Sequence, residues 1–201
     1  MDQAAWERTY ERILADFGYS REDDEAARDE LATLARHLPR PRLQLDGEVA
    51  IAGPRPTPLP DDARVLATDA AGWAFGRAEA IVTDLDGDVE AQLASGAPLF
   101  VHAHGDNREA LRRWLPRMRG PVQPTTQAAP RDGVENYGGF TDGDRACCIA
   151  IAHGATALAL AGFDFEEPWP KPEREPETKR RKLAWARRII EGLGVPVRRV
   201  G

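Results

Sequence analysis

Residues 81–107 read IVTDLDGDVEAQLASGAPLFVHAHGDN. Two short apolar runs, 81–83 and 99–102, each end in a polar turn, and a helix-like stretch begins at Val89 between them. Apolar strands that alternate with helices form parallel sheets covered by helices on both faces. This stretch therefore predicts an α/β fold. It also places both polar turns at the carboxyl ends of strands, where such sheets bind ligands.

The same alternation continues on both sides of this stretch. Further strand-like runs occur at residues 49–52, 65–68, 122–126, 157–161 and, as an edge strand, 195–200. Helix-like stretches occur at residues 70–75, 89–93, 107–118, 145–153 and 178–193. We therefore expect residues 46–201 to form one compact α/β domain on a mostly parallel, Rossmann-like sheet with helices on both faces.

Residues 1–45 are predicted to form a helical segment that precedes this domain. Apolar residues recur at helical spacing up to Gly18, and a second helix begins behind Ser20 and ends at Pro39. Residues 1–30 hold ten acidic residues and four arginines, which we interpret as a solvated face. These helices could cover the sheet or form the interface of a homo-oligomer, and the sequence leaves both open.

Composition argues against several classes of protein. The 201 residues are 42% hydrophobic and 30% charged, which is unlike a disordered or a membrane protein. A formal net charge of -6 argues against a general nucleic-acid binder. We expect no targeting or membrane-spanning segment. Cys147 and Cys148 are adjacent in an apolar run, which indicates buried thiols of a reducing compartment and predicts a cytoplasmic location.

The first polar turn carries three alternating carboxylates. Because side chains alternate along a strand, Asp84 and Asp86 should emerge on one side at its carboxyl end, where two hard oxygen donors suit Mg²⁺ and a phosphate. A turn whose carboxylates only cap the next helix is the simpler alternative. The sequence Asp-Leu-Asp-Gly also resembles the motif of the haloacid-dehalogenase phosphatases. Two strand-like runs precede the motif here, and Asp88 stands where that family has Thr, which argues against that class.

The second polar turn contains His102, His104, Asp106 and Asn107. The two histidines alternate onto one side, and Asp106 or Asn107 can cap the following helix, whose free amides could hold a phosphate oxygen. The imidazoles and the carboxylate could instead bind Zn²⁺. A histidine satisfied within the core is an equally good interpretation of His102.

A third cluster, GGFTDGDRA at residues 138–146, leads into the helix that contains both cysteines. Thr141 or Asp142 can cap that helix, and Arg145 opposes the helix dipole unless it faces an anion. Basic residues also begin the last helix, where Lys179 and Lys182 lie in a segment, 171–201, with ten basic and four acidic residues. They form either a solvated face or a phosphate-binding surface.

The turns after the first two strands are weaker signals. Gly53 and Pro54 follow the first, and Asp69, which could bind a ribose hydroxyl or simply cap a helix, follows the second. The sequence contains no G-x-G-x-x-G or Walker pattern, so neither a Rossmann dinucleotide site nor a P-loop is supported.

Together, VTDLDGD, VHAHGDN and GGFTDGDRA resemble, in this order and spacing, the archaeal-type 6-hydroxymethyl-7,8-dihydropterin pyrophosphokinases. The resemblance extends from about Gly53 to the last helix. This family is related in fold to the catalytic domain of thiamine pyrophosphokinases, in which an Asp-x-Asp at a strand end holds magnesium. The resemblance implies a Mg²⁺-dependent transfer of diphosphate from ATP to a small pterin, with release of AMP, on the route to methanopterin or folate-type cofactors.

The resemblance also suggests roles for individual residues. Asp84 and Asp86 would anchor Mg²⁺ with help from Asp106 or Asp144, and His104 would orient or deprotonate the hydroxyl. The expected phosphate- and nucleotide-binding residues are Arg145, Lys179, Lys182, Gly53, Pro54, Asp69 and Asn107. The expected pterin-binding residues are Phe140, Thr141 and Asp142, with Tyr137 and Trp169 as further aromatic candidates. Thiamine pyrophosphokinase, a nucleotide-sugar glycosyltransferase and a non-enzymatic nucleotide-binding regulatory module remain as alternatives.

Overall fold

The computed structural model describes residues 2–167 and 176–200. Within these residues, seven strands form one sheet in which every pair of neighbours is parallel. The strands are β1 (Gly47–Ala52), β2 (Arg64–Thr68), β3 (Ala80–Thr83), β4 (Leu99–Ala103), β5 (Val122–Thr126), β6 (Ala155–Ala161) and β7 (Val197–Val200). Each contains one of the predicted runs or most of it, so the α/β prediction is confirmed.

The strand order is β5-β4-β3-β2-β1-β6-β7. The chain moves outward from β1 to β5 along one half of the sheet, and it then returns to place β6 on the other side of β1. Ala52 at the end of β1 pairs with Ala67 of β2 and with Ala161 of β6. The end of β1 is therefore a topological switch point, where open parallel sheets bind their ligands.

Alternating strand residues are buried in two apolar cores, one on each face of the sheet. The helices are α1 (Gln3–Phe17), α2 (Arg21–Ala35), α3 (Val89–Ser95), α4 (Arg108–Trp114), α5 (Asp142–Ala152) and α6 (Pro176–Glu191). Residues of α2, α3 and α4 pack on one face, and residues of α5 and α6 pack on the other. Because both faces are covered, the inner strands β1, β3, β4 and β6 are mostly apolar rather than alternating with polar residues, whereas the edge strand β7 is largely exposed.

The two N-terminal helices are separated by a short turn. Asp2 caps α1 by accepting a hydrogen bond from the Ala5 amide, and Gly18 ends α1 in the left-handed conformation at φ 68°. Ser20 caps α2. Apolar residues of α1 pack with residues of α5 and α6, whereas those of α2 belong to the core on the opposite face of the sheet. The Gly105 amide after β4 donates a hydrogen bond to Asp24 in the first turn of α2, so the turn between α1 and α2 lies at the carboxyl ends of the strands.

Several helix boundaries differ from those predicted. The second helix ends at Ala35, before the predicted stop at Pro39. The predicted helix 70–75 is a 3-10 helix, Gly72–Arg77, and the predicted helix 107–118 is α4 flanked by the 3-10 helices Gly105–Asn107 and Leu115–Arg117. No described helix is both long and apolar enough to cross a membrane.

Candidate active site

A cleft of about 740 Å³ lies across the carboxyl ends of the strands. Its walls come from the residues after β1, β3, β4 and β6, from the first turns of α5 and α6, and from the turn between α1 and α2. Among its lining residues are Tyr19, Asp24, Pro54, Asp84, Asp86, His104, Asp106, Phe140, Asp142, Arg145, Phe163, Lys179 and Lys182. A cleft of this size is typical of a small-molecule site.

Three carboxylates from different parts of the chain meet in this region. Asp69 follows β2, Asp84 follows β3 and Asp142 begins α5, and one oxygen of each lies within 4.8 Å of the others. Oxygen donors alone suit a hard cation such as Mg²⁺. The prediction for Asp84 and Asp86 differs from this arrangement, because Asp86 is exposed on the cleft wall and is not a member of the trio.

The backbone of Leu85 explains the difference. Leu85 has a φ of 66° and is the one described non-glycine residue with positive φ. Asp84 and Asp86 therefore flank a left-handed turn rather than an extended strand, and strand alternation does not hold between them. The Leu85 amide donates to the Thr83 hydroxyl (2.9 Å), and that hydroxyl donates to Asp69 Oδ1 (3.2 Å). Thr83 thus couples the turn to a second member of the trio.

Asp69 is held by hydrogen bonds, and neighbouring residues pack closely around its carboxylate. It is 3% exposed, and its Oδ1 also accepts a hydrogen bond from the Gln92 side chain of α3. A Cβ atom on Gly87 would lie 2.6 Å from Asp69 Oδ1. The glycine of the Asp-Leu-Asp-Gly motif is therefore required for close packing of the turn against Asp69.

The turn after β4 places its two histidines differently. His104 Nε2 lies 3.5 Å from Asp84 Oδ2. His102 is fully buried, with Nδ1 3.1 Å from the Thr125 hydroxyl. Burial, together with the nearby charge of Arg145, holds the pKa of His102 well below its usual value. His102 is therefore a neutral core histidine, and His104 is the one that faces the carboxylates.

Asn107 supports this turn instead of presenting a free amide. Its Nδ2 donates to the carbonyl oxygens of Asp84 (2.8 Å) and His102 (2.7 Å), and its Oδ1 accepts from the His104 amide (3.1 Å). Both amide hydrogens are thus committed to backbone oxygens. Asn107, predicted to bind phosphate, thus joins the turns after β3 and β4 through its side chain. Asp106 is exposed at the cleft wall.

The first turn of α5 also differs from prediction at Asp144. Its carboxylate is fully buried and accepts from the Phe140 amide (2.6 Å), from the Thr141 amide (2.8 Å) and from the Thr141 hydroxyl. Burial raises the pKa of Asp144, whereas these hydrogen bonds oppose the increase. Thr141 and Asp144 form a capping box. The carboxylate, predicted to assist in metal binding, is therefore committed to the helix cap and is not a member of the trio.

Arg145 holds the carboxylate of Asp142 in place. It is 3% exposed, and its guanidinium donates to Asp142 Oδ1 (2.9 Å) and to the Phe140 carbonyl oxygen (3.1 Å). Arg145 also lines the cleft. The side chain predicted to face an anion therefore faces the carboxylate of Asp142.

At the switch point, the ends of β1 and β6 are packed around one aromatic ring. A Cβ atom on Gly53 would lie 2.8 Å from Phe163 Cδ2, and one on Gly143 would lie 2.5 Å from Phe163 Cε1. The Trp73 indole donates to the Gly53 carbonyl oxygen (2.9 Å). Pro54 follows on the cleft wall. The glycines therefore allow the first turn of α5 to approach the sheet.

Another wall of the cleft is formed by basic residues of α6 and by the aromatic residues Tyr19 and Phe140. Lys182 Nζ lies 5.5 Å from the ring centroid of Tyr19 and 5.6 Å from that of Phe140. Phe140 and Tyr19 also contact Phe17. Lys179 lines the same cleft. Sequence reasoning did not find Tyr19; the one signal was its position in the turn between two capped helices.

Tyr137, one of the two further aromatic candidates, is not among the lining residues of the cleft. Tyr137 packs edge-on against Phe100 with ring centroids 6.1 Å apart, and burial raises its pKa to about 12. Trp169 lies outside the described residues.

Comparison with known proteins reveals three relatives over nearly the whole chain, all named 6-hydroxymethyl-7,8-dihydropterin pyrophosphokinase. The relative from Methanothermobacter thermautotrophicus is 37% identical and covers 96% of this chain and 95% of its own. That from Pyrococcus furiosus is 36% identical, covering 94% and 92%, and that from Methanocaldococcus jannaschii is 32% identical, covering 96% of each. No protein-family model matches the chain.

Proposed function

The chain belongs to the 6-hydroxymethyl-7,8-dihydropterin pyrophosphokinase family, and we propose that it transfers a diphosphoryl group from ATP to that pterin with Mg²⁺, releasing AMP. The observation that carries the choice of site is the trio of Asp69, Asp84 and Asp142, of which Asp84 and Asp142 line the cleft. The similarity to the relatives of this family extends over almost the full length of the chain.

The reaction requires alignment and charge neutralisation rather than covalent catalysis. The oxygen of the pterin hydroxymethyl group attacks the β-phosphorus of ATP, and the bond from that phosphorus to the oxygen bridging it to the α-phosphorus breaks. AMP leaves with the bridging oxygen, and the hydroxyl proton passes to a base. Holding the two substrates in line supplies much of the rate, and fixed charges stabilise the phosphoryl oxygens.

Asp69, Asp84 and Asp142 would hold the magnesium ion in this cleft, since their donor set is entirely carboxylate. When bound, Mg²⁺ neutralises phosphate charge and orients the phosphates. Asp86 and Asp106 also line the cleft, and they would add negative charge near the ion. This use of Asp69 replaces the ribose contact suggested by its position after a strand.

His104 is the proposed base. Its Nε2 is 3.5 Å from Asp84 Oδ2, so a carboxylate is available to orient the ring. Lys179 and Lys182 would bind phosphate oxygens from the wall that contains α6. Arg145 would hold Asp142 in place and add positive charge behind it.

The nucleotide and the acceptor would occupy different halves of the cleft. Gly53 and Pro54 at the switch point are the proposed nucleotide side. The acceptor would lie beside His104 against Phe140 and Tyr19, next to the Thr141 and Asp142 end of α5. The two thiols Cys147 and Cys148 are buried, which supports a cytoplasmic location as part of the same proposal.

The test is mass detection of a diphosphorylated product, with AMP, from purified protein, Mg-ATP and 6-hydroxymethyl-7,8-dihydropterin. Thiamine is offered in a parallel reaction, and an Asp84→Asn variant serves as the negative control. Product from thiamine alone would favour the related pyrophosphokinase. Turnover of a sugar nucleotide would favour a glycosyltransferase. Tight Mg-ATP binding without any product would favour the regulatory module.

A further inference from the structure

Asp24, in the first turn of α2, joins three separate parts of the fold through one carboxylate. It is 3% exposed. Its Oδ1 accepts a hydrogen bond from the Gly105 amide (2.8 Å). Its Oδ2 accepts from the Tyr10 hydroxyl of α1 (2.7 Å) and from the Gln127 side-chain amide after β5 (2.7 Å). A buried carboxylate requires such partners, so these contacts hold α1, α2 and the ends of β4 and β5 together.

Asp24 is an exception to the interpretation of the acidic N-terminal segment as a solvated face, because the other nine acidic residues of this segment are exposed or partly exposed. Gln127 is 4% exposed, and its carbonyl oxygen accepts a hydrogen bond from the Trp6 indole (2.8 Å). Asp24 is therefore part of a buried network that extends from α1 to the end of β5. It also lines the cleft, which brings the network to the candidate active site.

The contact with Gly105 connects this network to His104. Gly105 directly follows His104, whose imidazole faces Asp84. A Cβ atom on Gly105 would lie 2.8 Å from Cβ of Asp23, so α2 is packed directly against this turn. The Gly105 amide is bonded to a carboxylate and is consequently not presented to a phosphate. The turn therefore positions the His104 side chain and does not bind an anion through the Gly105 amide.

We propose that Asp24 is a positioning residue for the transfer reaction: it holds the turn formed by His104 and Gly105 so that the imidazole faces Asp84 and the acceptor hydroxyl. This rests on the proposed function, in which His104 receives the hydroxyl proton. It gives the N-terminal helices a part in the reaction, since the carboxylate that fixes the turn is supplied by α2.

A double-mutant cycle between Asp24→Ala and His104→Ala tests this proposal. In the wild-type background Asp24→Ala should lower kcat by about 10- to 100-fold, because small displacements of a reacting group have effects of this size. The KM for ATP should change by less than about twofold. In the His104→Ala background the same substitution should lower kcat by less than about twofold. Equal losses of kcat in both backgrounds would overturn the proposal.

Two further variants separate positioning from folding. Asp24→Asn keeps an oxygen for the Gly105 amide and should restore most of kcat. Glu30→Gln is the matched control on the same helix, because Glu30 binds Arg108 and Arg112 of α4 and not the turn. Its kcat should stay within about twofold of wild type. If Asp24→Ala does not fold, Gly105→Ala replaces it in the cycle, because its methyl group would push α2 away. A loss of kcat only in the presence of His104 would again support the proposal, and equal losses in both backgrounds would overturn it.

A measurement without turnover distinguishes failure of this inference from failure of the proposed function. The His104 ring resonances are assigned by their loss in His104→Ala and are compared between wild type, Asp24→Ala and Glu30→Gln. They should shift in Asp24→Ala and stay in place in Glu30→Gln. Unchanged His104 resonances in folded Asp24→Ala would overturn the positioning role. Absence of product from the wild-type protein would instead contradict the proposed function.

Discussion

A Cβ atom on Gly143 would lie 2.5 Å from Cε1 of Phe163, so the first turn of α5 and the residues after β6 are in direct contact. A Cβ atom on Gly53 would also lie within 2.8 Å of the same Phe163 ring. Asp142, one of the three clustered carboxylates, immediately precedes Gly143. The packing at the switch point therefore helps to set where that carboxylate lies.

Gly143→Ala should destabilise the protein by about 1–3 kcal/mol, because the added methyl group overpacks this contact. The loss should be much smaller in a Phe163→Ala background. Urea unfolding of the four proteins measures both effects. Gly76→Ala is the control, since nothing lies within 4 Å of that Cβ position. Equal losses with and without the Phe163 ring would contradict the contact.

Asp142→Asn should weaken Mg²⁺ binding by about tenfold or more, because ligand charge sets the affinity of carboxylate sites. The amide keeps an oxygen for Arg145, so the fold should be preserved. Titration of Mn²⁺ followed by paramagnetic resonance measures affinity directly. Asp88→Asn is the matched control: Asp88 is exposed and caps α3 through the Ala91 amide (3.0 Å). Wild-type affinity in Asp142→Asn would remove this residue from the proposed metal site.

Thr83→Val should destabilise the protein by about 1–3 kcal/mol, since it leaves the buried Leu85 amide without an acceptor. It also removes the hydroxyl that binds Asp69, so metal affinity should fall as well. Thr83→Ser retains the hydroxyl and should preserve that affinity. Chemical unfolding and metal titration of both variants are the measurements. A serine variant as impaired in metal binding as the valine variant would argue against the hydroxyl.

Lys182→Met should raise the KM for ATP by about tenfold, the effect of removing one charged hydrogen-bond partner. Methionine keeps an apolar side chain beside Tyr19 and Phe140, so the aromatic wall should remain. Arg180→Met is the control on the same helix, because Arg180 is exposed and pairs with Glu177 (3.7 Å). If Lys182→Met changes neither KM nor kcat, Lys182 does not contact the phosphates.

Glu30→Gln should lower the free energy of unfolding by up to about 1 kcal/mol at pH 7. The Arg112 and Arg108 guanidiniums lower the pKa of Glu30 below its ordinary value of 4.5. The ion pairs therefore stabilise the folded state above about pH 4.5, and this contribution is lost as the pH falls through the lowered pKa of the folded state. The difference between wild type and Glu30→Gln, measured by urea unfolding, should shrink over that range. A difference independent of pH would contradict the ion-pair explanation.

The sequence by itself determined where the strands lie along the chain. It also identified the family. Apolar runs bounded by Gly, Pro and Asp mark the central strands, because a strand buried on both faces has few polar positions. The sequence also located two polar blocks at the carboxyl ends of strands and a third at the start of a helix. These conclusions depend on residues that are neighbours in the chain, which is the range over which local patterns carry information.

Only the tertiary structure decided which residues of those blocks meet. Asp69 and Asp142 join Asp84 because the ends of β2 and β3 and the start of α5 converge at one edge of the sheet. Asp86 is directed elsewhere by the left-handed Leu85, a conformation that residue type does not predict. Asn107 and Asp144 are polar residues whose bonds go to backbone groups, and Asp24 in an acidic helix is buried by contacts from distant elements. Local pattern shows that a carboxylate is present, whereas its surroundings come from the packing of elements far apart in the chain.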